Sequence, residues 1–134
     1  MIDCLILGDS IAVGLQQFKP ECQAQAKGGV NSWQFNRQYT GPFGARSVVI
    51  SLGSNDHVGV KTRRELETLR SKVTEQSRVF WILPANQKLI QDIIILIAQA
   101  NGDIVVPIAR LQKDQIHPSW AGYRDLSEKI NLHE

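Results

Sequence analysis

A hydroxyl, an imidazole, a carboxylate and several amide donors occur in this chain in the settings that nucleophilic acyl transfer requires. The hydroxyl is Ser10, in Gly8-Asp9-Ser10, directly after an apolar run. The imidazole is His117, three residues beyond Asp114 and just ahead of Pro118. The candidate oxyanion donors are the Asn55 side chain, in Gly53-Ser54-Asn55-Asp56, and the backbone N–H groups of Ser10 and Gly29.

Each assignment competes with a plainer one. Ser10, where a helix begins, could simply cap it by accepting a backbone N–H. In the same place its hydroxyl can face a cleft where the helix N-terminus favours developing negative charge. Asp9 beside it is expected to brace the loop by accepting backbone hydrogen bonds. An unperturbed imidazole is largely neutral near pH 7, so His117 could take the serine proton and return it to a leaving alkoxide. Asp114, one loop turn earlier, would then hold the other ring nitrogen and set the tautomer. Asn55 could hold a turn with Asp56, and Gly28-Gly29 could be a flexible bend. A glycine is also what a backbone oxyanion donor needs, because a β-carbon would obstruct the acyl group. His57 and Asn86 are expected in loops lining the same cleft, with Asp9, Gly28 and Asp56; His133 lies in the tail.

These residues need a scaffold that gathers them, and the apolar pattern supplies one. Short apolar runs at Ile2 to Leu7, Arg46 to Leu52, Val79 to Leu83 and Ile104 to Val106, with a weaker one at Cys22 to Ala26, predict five strands. Ile11 to Phe18, Thr62 to Gln76, Leu89 to Ala100 and Ser119 to Ile130 predict helices. Thr62 and Glu65 are spaced for a capping box, and Ile90, Ile93, Ile94 and Ile97 form an apolar stripe that Ile95 and Leu96 widen. Gln34 to Gly44 reads as an insertion, whose Phe35, Tyr39 and Phe43 either wall the cleft or pack inward. Strand-helix alternation with long connections predicts a parallel sheet covered on both faces. Right-handed crossovers then put every strand's C-terminal end on one rim, where the Gly8, Gly28-Gly29 and Gly53 segments meet.

Composition narrows the alternatives. At 134 residues the chain makes one domain, residues 1–134, and a 43% hydrophobic, 21% charged content argues for a globular fold. The net charge of +2 is small, and Glu65, Glu67 and Glu75 interleave with the basic residues at 61–72, which argues against nucleic-acid binding. Cys4 and Cys22 are expected as buried free thiols. The longest apolar run, Ile93 to Ala98, is far too short to span a membrane, and the first residues have no leader pattern, so a cytoplasmic protein is expected, with a mature exported form as the alternative. No HxH, HExxH or paired-cysteine spacing suggests a metal, and no Walker lysine, Gly-x-Gly-x-x-Gly or Gly-x-Ser-x-Gly frame is present. No metal or organic cofactor is expected.

Four blocks, in order and spacing, resemble those of the SGNH, or GDSL-type, hydrolase family: Gly8-Asp9-Ser10-Ile11, Gly28-Gly29 within residues 27–32, Gly53-Ser54-Asn55-Asp56, and Asp114 to His117 continued by Pro118-Ser119-Trp120-Ala121-Gly122-Tyr123. The resemblance runs from Ile2 to about Ile130, with the glycine block its loosest part. It implies a flavodoxin-like three-layer α/β/α fold with a five-stranded parallel sheet, and ester hydrolysis through an acyl-serine intermediate. It further implies Ser10, Asp114 and His117 as the triad, with Ser10, Gly29 and Asn55 as the oxyanion hole. Members act on lipids, acetylated sugars, thioesters and aryl esters. The shortness of this chain leaves no room for a large lid or deep acyl tunnel, which favours short acyl groups such as acetyl on a sugar or glycan. The alternatives are a lysophospholipase, a thioesterase, or a silent carbohydrate- or partner-binding module. Exposed aromatic residues near the cleft leave the oligomeric state open.

Overall fold

The computed structural model describes residues 2–134. Five strands alternate with five helices: β1 (Cys4–Gly8), α1 (Ser10–Gln16), β2 (Gln23–Ala26), α2 (Ser32–Gln38), β3 (Ser47–Ser51), α3 (Thr62–Ser71), β4 (Arg78–Leu83), α4 (Lys88–Asn101), β5 (Ile104–Pro107) and α5 (Trp120–His133). All strand pairs are parallel, in the order β2-β1-β3-β4-β5. The β1 and β3 strands are buried throughout, which is why their sequences are apolar without alternation, save for the small Ser47 and Ser51 at the ends of β3.

Successive side chains of a strand point to opposite faces, so the sheet has two cores. Leu5, Leu7, Val48, Ile50, Val79 and Trp81 face α2, α3 and α4, meeting Phe35, Leu66, Leu69, Ile94 and Ile97. Cys4, Ile6, Val49, Phe80 and Ile82 face α1 and α5, meeting Ile11, Leu15, Leu126 and Ile130. The expected three-layer α/β/α arrangement is therefore present. On α4, Ile94, Ile97 and Ala98 carry the buried stripe, while Leu96 points outward, 57% exposed.

Three expectations are corrected. The segment read as an insertion, Gln34 to Gly44, overlaps α2, which starts at Ser32. Asn31 accepts the Gln34 N–H at 2.8 Å and Gln34 returns the bond to the Asn31 N–H at 2.9 Å, a reciprocal cap that starts the helix. Phe35 and Phe43 are wholly buried beneath it, with Tyr39 tilted against Phe35, so this aromatic set builds core and not a cleft wall. Truncating Phe35 to alanine would cost about 3–5 kcal/mol.

The capping box expected at Thr62 and Glu65 does not form, because tertiary partners take both groups. Thr62 Oγ1 donates to Asp56 at 2.7 Å, and Glu65 accepts from Asn36 at 2.9 Å and Arg37 at 2.6 Å. Finally, Cys4 and Cys22 are not free thiols but a disulfide, their Cα atoms 4.5 Å apart. Cys4 opens β1 and Cys22 directly precedes β2, so the pairing of those strands brings the sulfurs together.

Candidate active site

The site is assembled at the C-terminal rim of the sheet. Gly8 ends β1 with φ +144°, and a β-carbon there would lie 1.9 Å from the Ser51 carbonyl oxygen. Only glycine lets β1 and β3 run so close at this point, and the chain then turns straight into α1. Asp9 is the N-cap of α1, so Ser10 is its first residue and not its cap.

Asp9 is wholly buried and does not line the cleft as expected. Its Oδ1 accepts the Ile11 N–H at 3.0 Å and the Ser51 hydroxyl at 3.2 Å; its Oδ2 accepts the Ser54 hydroxyl at 2.9 Å. One carboxylate thus ties the start of α1 to the end of β3 and to the loop carrying Asn55. Burial pushes its pKa up, opposed by the hydrogen bonds from Ser54, Ile11 and Ser51.

Ser10 Oγ lies 2.8 Å from His117 Nε2. On the other side of the ring, His117 Nδ1 lies 2.6 Å from Asp114 Oδ2. Asp114 Oδ1 also accepts the backbone N–H groups of Ile116 at 2.9 Å and His117 at 3.0 Å. The Ile116 N–H, followed by the His117 ring and the His117 N–H, holds the Asp114 carboxyl down to about 2. An ionised carboxylate is an acceptor only, so Nδ1 carries the proton and Nε2 presents its lone pair to the serine hydroxyl.

The loop carrying these two residues is closed by backbone bonds from Gln112 N–H to the His117 carbonyl at 2.8 Å and from Ser119 N–H to the Arg110 carbonyl at 3.0 Å. Ser119 then caps α5 through the Gly122 N–H. Gln115 adopts φ +62° in this loop, a left-handed conformation that costs a residue with a β-carbon about 1–3 kcal/mol.

Asn55 Nδ2 donates one hydrogen to the Val30 carbonyl at 3.0 Å, which orients the amide and leaves its second hydrogen free of that bond. The partner residue directly follows Gly29, so the Asn55 and glycine loops are pinned together. Gly29 has φ +81° with open space on its side-chain face. Gly28 faces the serine: a β-carbon on it would lie 4.0 Å from Ser10 Cβ. The Ser10 N–H, in the first turn of α1, has no acceptor within the helix.

The remaining expected lining residues divide. Asp56 is occupied as a brace, accepting the Ser32 N–H at 2.8 Å, the Ser32 hydroxyl at 2.6 Å and the Thr62 hydroxyl, so it fastens α2 and α3 to the rim. His57 is exposed, its Nδ1 accepting the Gly59 N–H at 3.1 Å. Asn86 is exposed, and its amide donates to the Gln115 carbonyl.

Tyr123 was not singled out from sequence as a site residue. Its ring lies over Gly14, one helical turn beyond Ser10, and stacks on Phe18 with centroids 5.7 Å apart. Burial, then the charges of Asp9 and Asp114, raise its pKa, so the hydroxyl stays protonated at the wall of the site. The signal available was its place in the block that follows His117.

Beside Asn55 the structure has a feature the short chain did not suggest. A groove of about 530 Å³ runs between residues 56–62 and the start of α4, lined by Val58, Val60, Leu89, Ile90 and Ile93 with His57. Val58 and Leu89 are exposed along it. Gly53, two residues before Asn55, abuts Ile90, where a β-carbon would come within 2.6 Å. The groove therefore begins next to the candidate oxyanion hole.

No family model matches this sequence, and no curated protein does. Solved structures do. A candidate acylhydrolase from Bacteroides fragilis aligns at TM-score 0.70 and 17% identity, over 98% of this chain and 86% of its own. A member of the lipolytic G-D-S-L family from Veillonella parvula aligns at TM-score 0.72 and 12% identity, over 98% and 97%. The C-terminal catalytic domain of peptidoglycan O-acetyltransferase A from Streptococcus pneumoniae, with a methylsulfonyl adduct, aligns at TM-score 0.68 and 16% identity, over 97% and 90%. This chain has the SGNH, or GDSL-type, hydrolase fold.

Proposed function

We propose that this protein is a serine ester hydrolase. His117 Nε2 takes the proton of Ser10 as its Oγ attacks the acyl carbonyl, giving a tetrahedral oxyanion. The Ser10 and Gly29 N–H groups and the Asn55 amide stabilise that oxyanion. Collapse expels the alcohol, which receives the proton from His117. Water, activated by the same imidazole, then releases the acid and restores Ser10. Asp114 holds the ring in the needed tautomer throughout.

The observation that carries this reading is the continuous line from Ser10 through His117 to Asp114, two short contacts that a mere helix cap would not need. Hydrolysis of p-nitrophenyl acetate by the wild type and its loss in Ser10→Ala tests it; equal rates for the two proteins would overturn it and leave a binding module.

The groove favours a second reading of the acyl part. Its apolar walls suit an acyl chain longer than acetyl, as in a thioester or lysophospholipid, whereas an acetylated glycan would leave it empty. A chain-length series of p-nitrophenyl esters separates the two. A rise in kcat/KM beyond acetate that Leu89→Asp abolishes selects the groove, and a maximum at acetate selects the short acyl group.

A further inference from the structure

The loop after β4 supplies no reacting group, yet two consecutive side chains in it hold the two loops that do. Asn86 Nδ2 donates to the Gln115 carbonyl at 2.8 Å, between Asp114 and His117. Gln87 Nε2 donates to the Ser54 carbonyl at 3.0 Å, immediately before Asn55. We infer that Asn86 and Gln87 form a bracket that sets the spacing between His117 and Asn55. They are positioning residues, each acting through the backbone of a neighbour. The kinetic consequence rests on the esterase reading above.

The bracket has a firm mount. Pro84 is buried at the end of β4, and its carbonyl accepts Gln91 Nε2 at 2.8 Å, so the loop is pinned to α4. Asn86 adopts φ +60°, a conformation asparagine tolerates better than most residues. The far end is built to match. Gln115 is also left-handed, at φ +62°, and its N–H is bonded to the Gln112 carbonyl at 3.0 Å.

The bonds from Asp114 to Ile116 and His117 lie wholly within one exposed loop. They keep the acid and the imidazole together but do not fix where that pair sits relative to Ser10 and Asn55. The Asn86 bond adds a tie from the β4 side to those that Ser119 makes to Arg110 and to the start of α5. On the opposite flank, Asn55 is pinned to Val30 by its side chain, and Gln87 holds the same loop by its backbone.

Asn86→Gly keeps the left-handed backbone accessible while deleting the donor, and Gln87→Leu deletes the other donor at similar length. With p-nitrophenyl acetate, too short to fill the groove that Gln87 also borders, each variant is expected to lower kcat about three- to tenfold, the range one lost hydrogen bond spans. KM should stay at its wild-type value, and the thermal midpoint should fall by no more than a few degrees, the loss one hydrogen bond entails. Nuclear magnetic resonance provides a readout that does not need turnover. Asn86→Gly should move the His117 Nε2 resonance and leave the Asn55 side-chain amide in place, and Gln87→Leu should do the reverse. Unmoved resonances with unchanged kcat would overturn the bracket, as would a loss of kcat that disappears when the assay is run well below the variant's thermal midpoint. If the wild type cleaves no ester, the esterase reading falls and the two resonances alone judge the bracket.

Discussion

Asp114 grips His117 at both ends: its Oδ1 accepts the histidine's backbone N–H at 3.0 Å and its Oδ2 meets the ring Nδ1 at 2.6 Å. A single carboxylate thereby fixes the backbone and the imidazole of the residue it orients. The pair is a local unit of four residues, and folding has only to deliver it to Ser10.

Asp114→Asn is expected to lower kcat by about two to four orders of magnitude, because an amide can hold the ring in the wrong tautomer. The pH dependence follows from the depressed carboxyl. Asp114 is ionised in the folded protein down to about pH 2, against an ordinary aspartate value of 3.8. The stability it contributes is present above 3.8 and is lost as pH falls through about 2. The stability difference between wild type and Asp114→Asn should therefore be flat above pH 5 and shrink between pH 4 and 2. Any acid limb of kcat/KM well above that window reports a group other than Asp114. Unfolding curves and a pH-rate profile check both points.

Asn55→Ala removes a side-chain donor aimed by Val30, and kcat should fall by about a hundred- to a thousandfold, the cost of one oxyanion donor. KM should change little, since the donor acts on the tetrahedral species. Steady-state kinetics on a single ester decides this, and a loss confined to KM would assign Asn55 to ground-state binding instead.

Asp9 behaves in the opposite sense to Asp114. Burial raises its folded pKa above 3.8, so the charged form is the disfavoured one and its penalty grows as pH rises through the raised value. Asparagine can still cap α1 through the Ile11 N–H without carrying that charge. The thermal midpoint of Asp9→Asn, measured relative to wild type, should become more favourable from pH 3 to pH 8. A pH-independent difference would show that burial leaves the carboxyl unperturbed.

The disulfide closes a loop with a sequence separation of 18, for which chain entropy predicts about 3 kcal/mol of stabilisation. Thiol titration of the unfolded, unreduced protein should find no free sulfhydryl, and denaturant unfolding of the Cys4→Ser, Cys22→Ser double variant should show a loss of about that size.

Much of this protein was legible residue by residue. Four of the five strands lie where short apolar runs end at or near glycine or proline, because a doubly covered parallel sheet demands continuous hydrophobicity and its rim demands turns; the edge strand β2 alternates glutamine with alanine and is only partly buried. The candidate nucleophile, base, acid and amide were found for a related reason: each stands in a short block whose internal spacing carries its chemistry, as Asp114 and His117 do. Even α2 has a local trace, the Asn31 and Gln34 cap, in a segment whose sequence is dominated by its aromatic residues.

Other features were decided only when distant segments met. Ser10 and His117 are 107 positions apart, and their contact exists because two strand ends share a rim. Cys4 and Cys22 became a disulfide through the pairing of β1 with β2, and Asp9 became a buried brace because Ser51 and Ser54 closed over it. The groove at Leu89 arose where α4 passes Gly53, and Asn86 found its acceptor 29 positions away. Residue type and spacing act over one turn of chain, so they determine the elements and the chemical blocks. Burial, long-range partners and cavities depend on which surfaces the folded sheet and helices bring together, and these the tertiary structure alone decided.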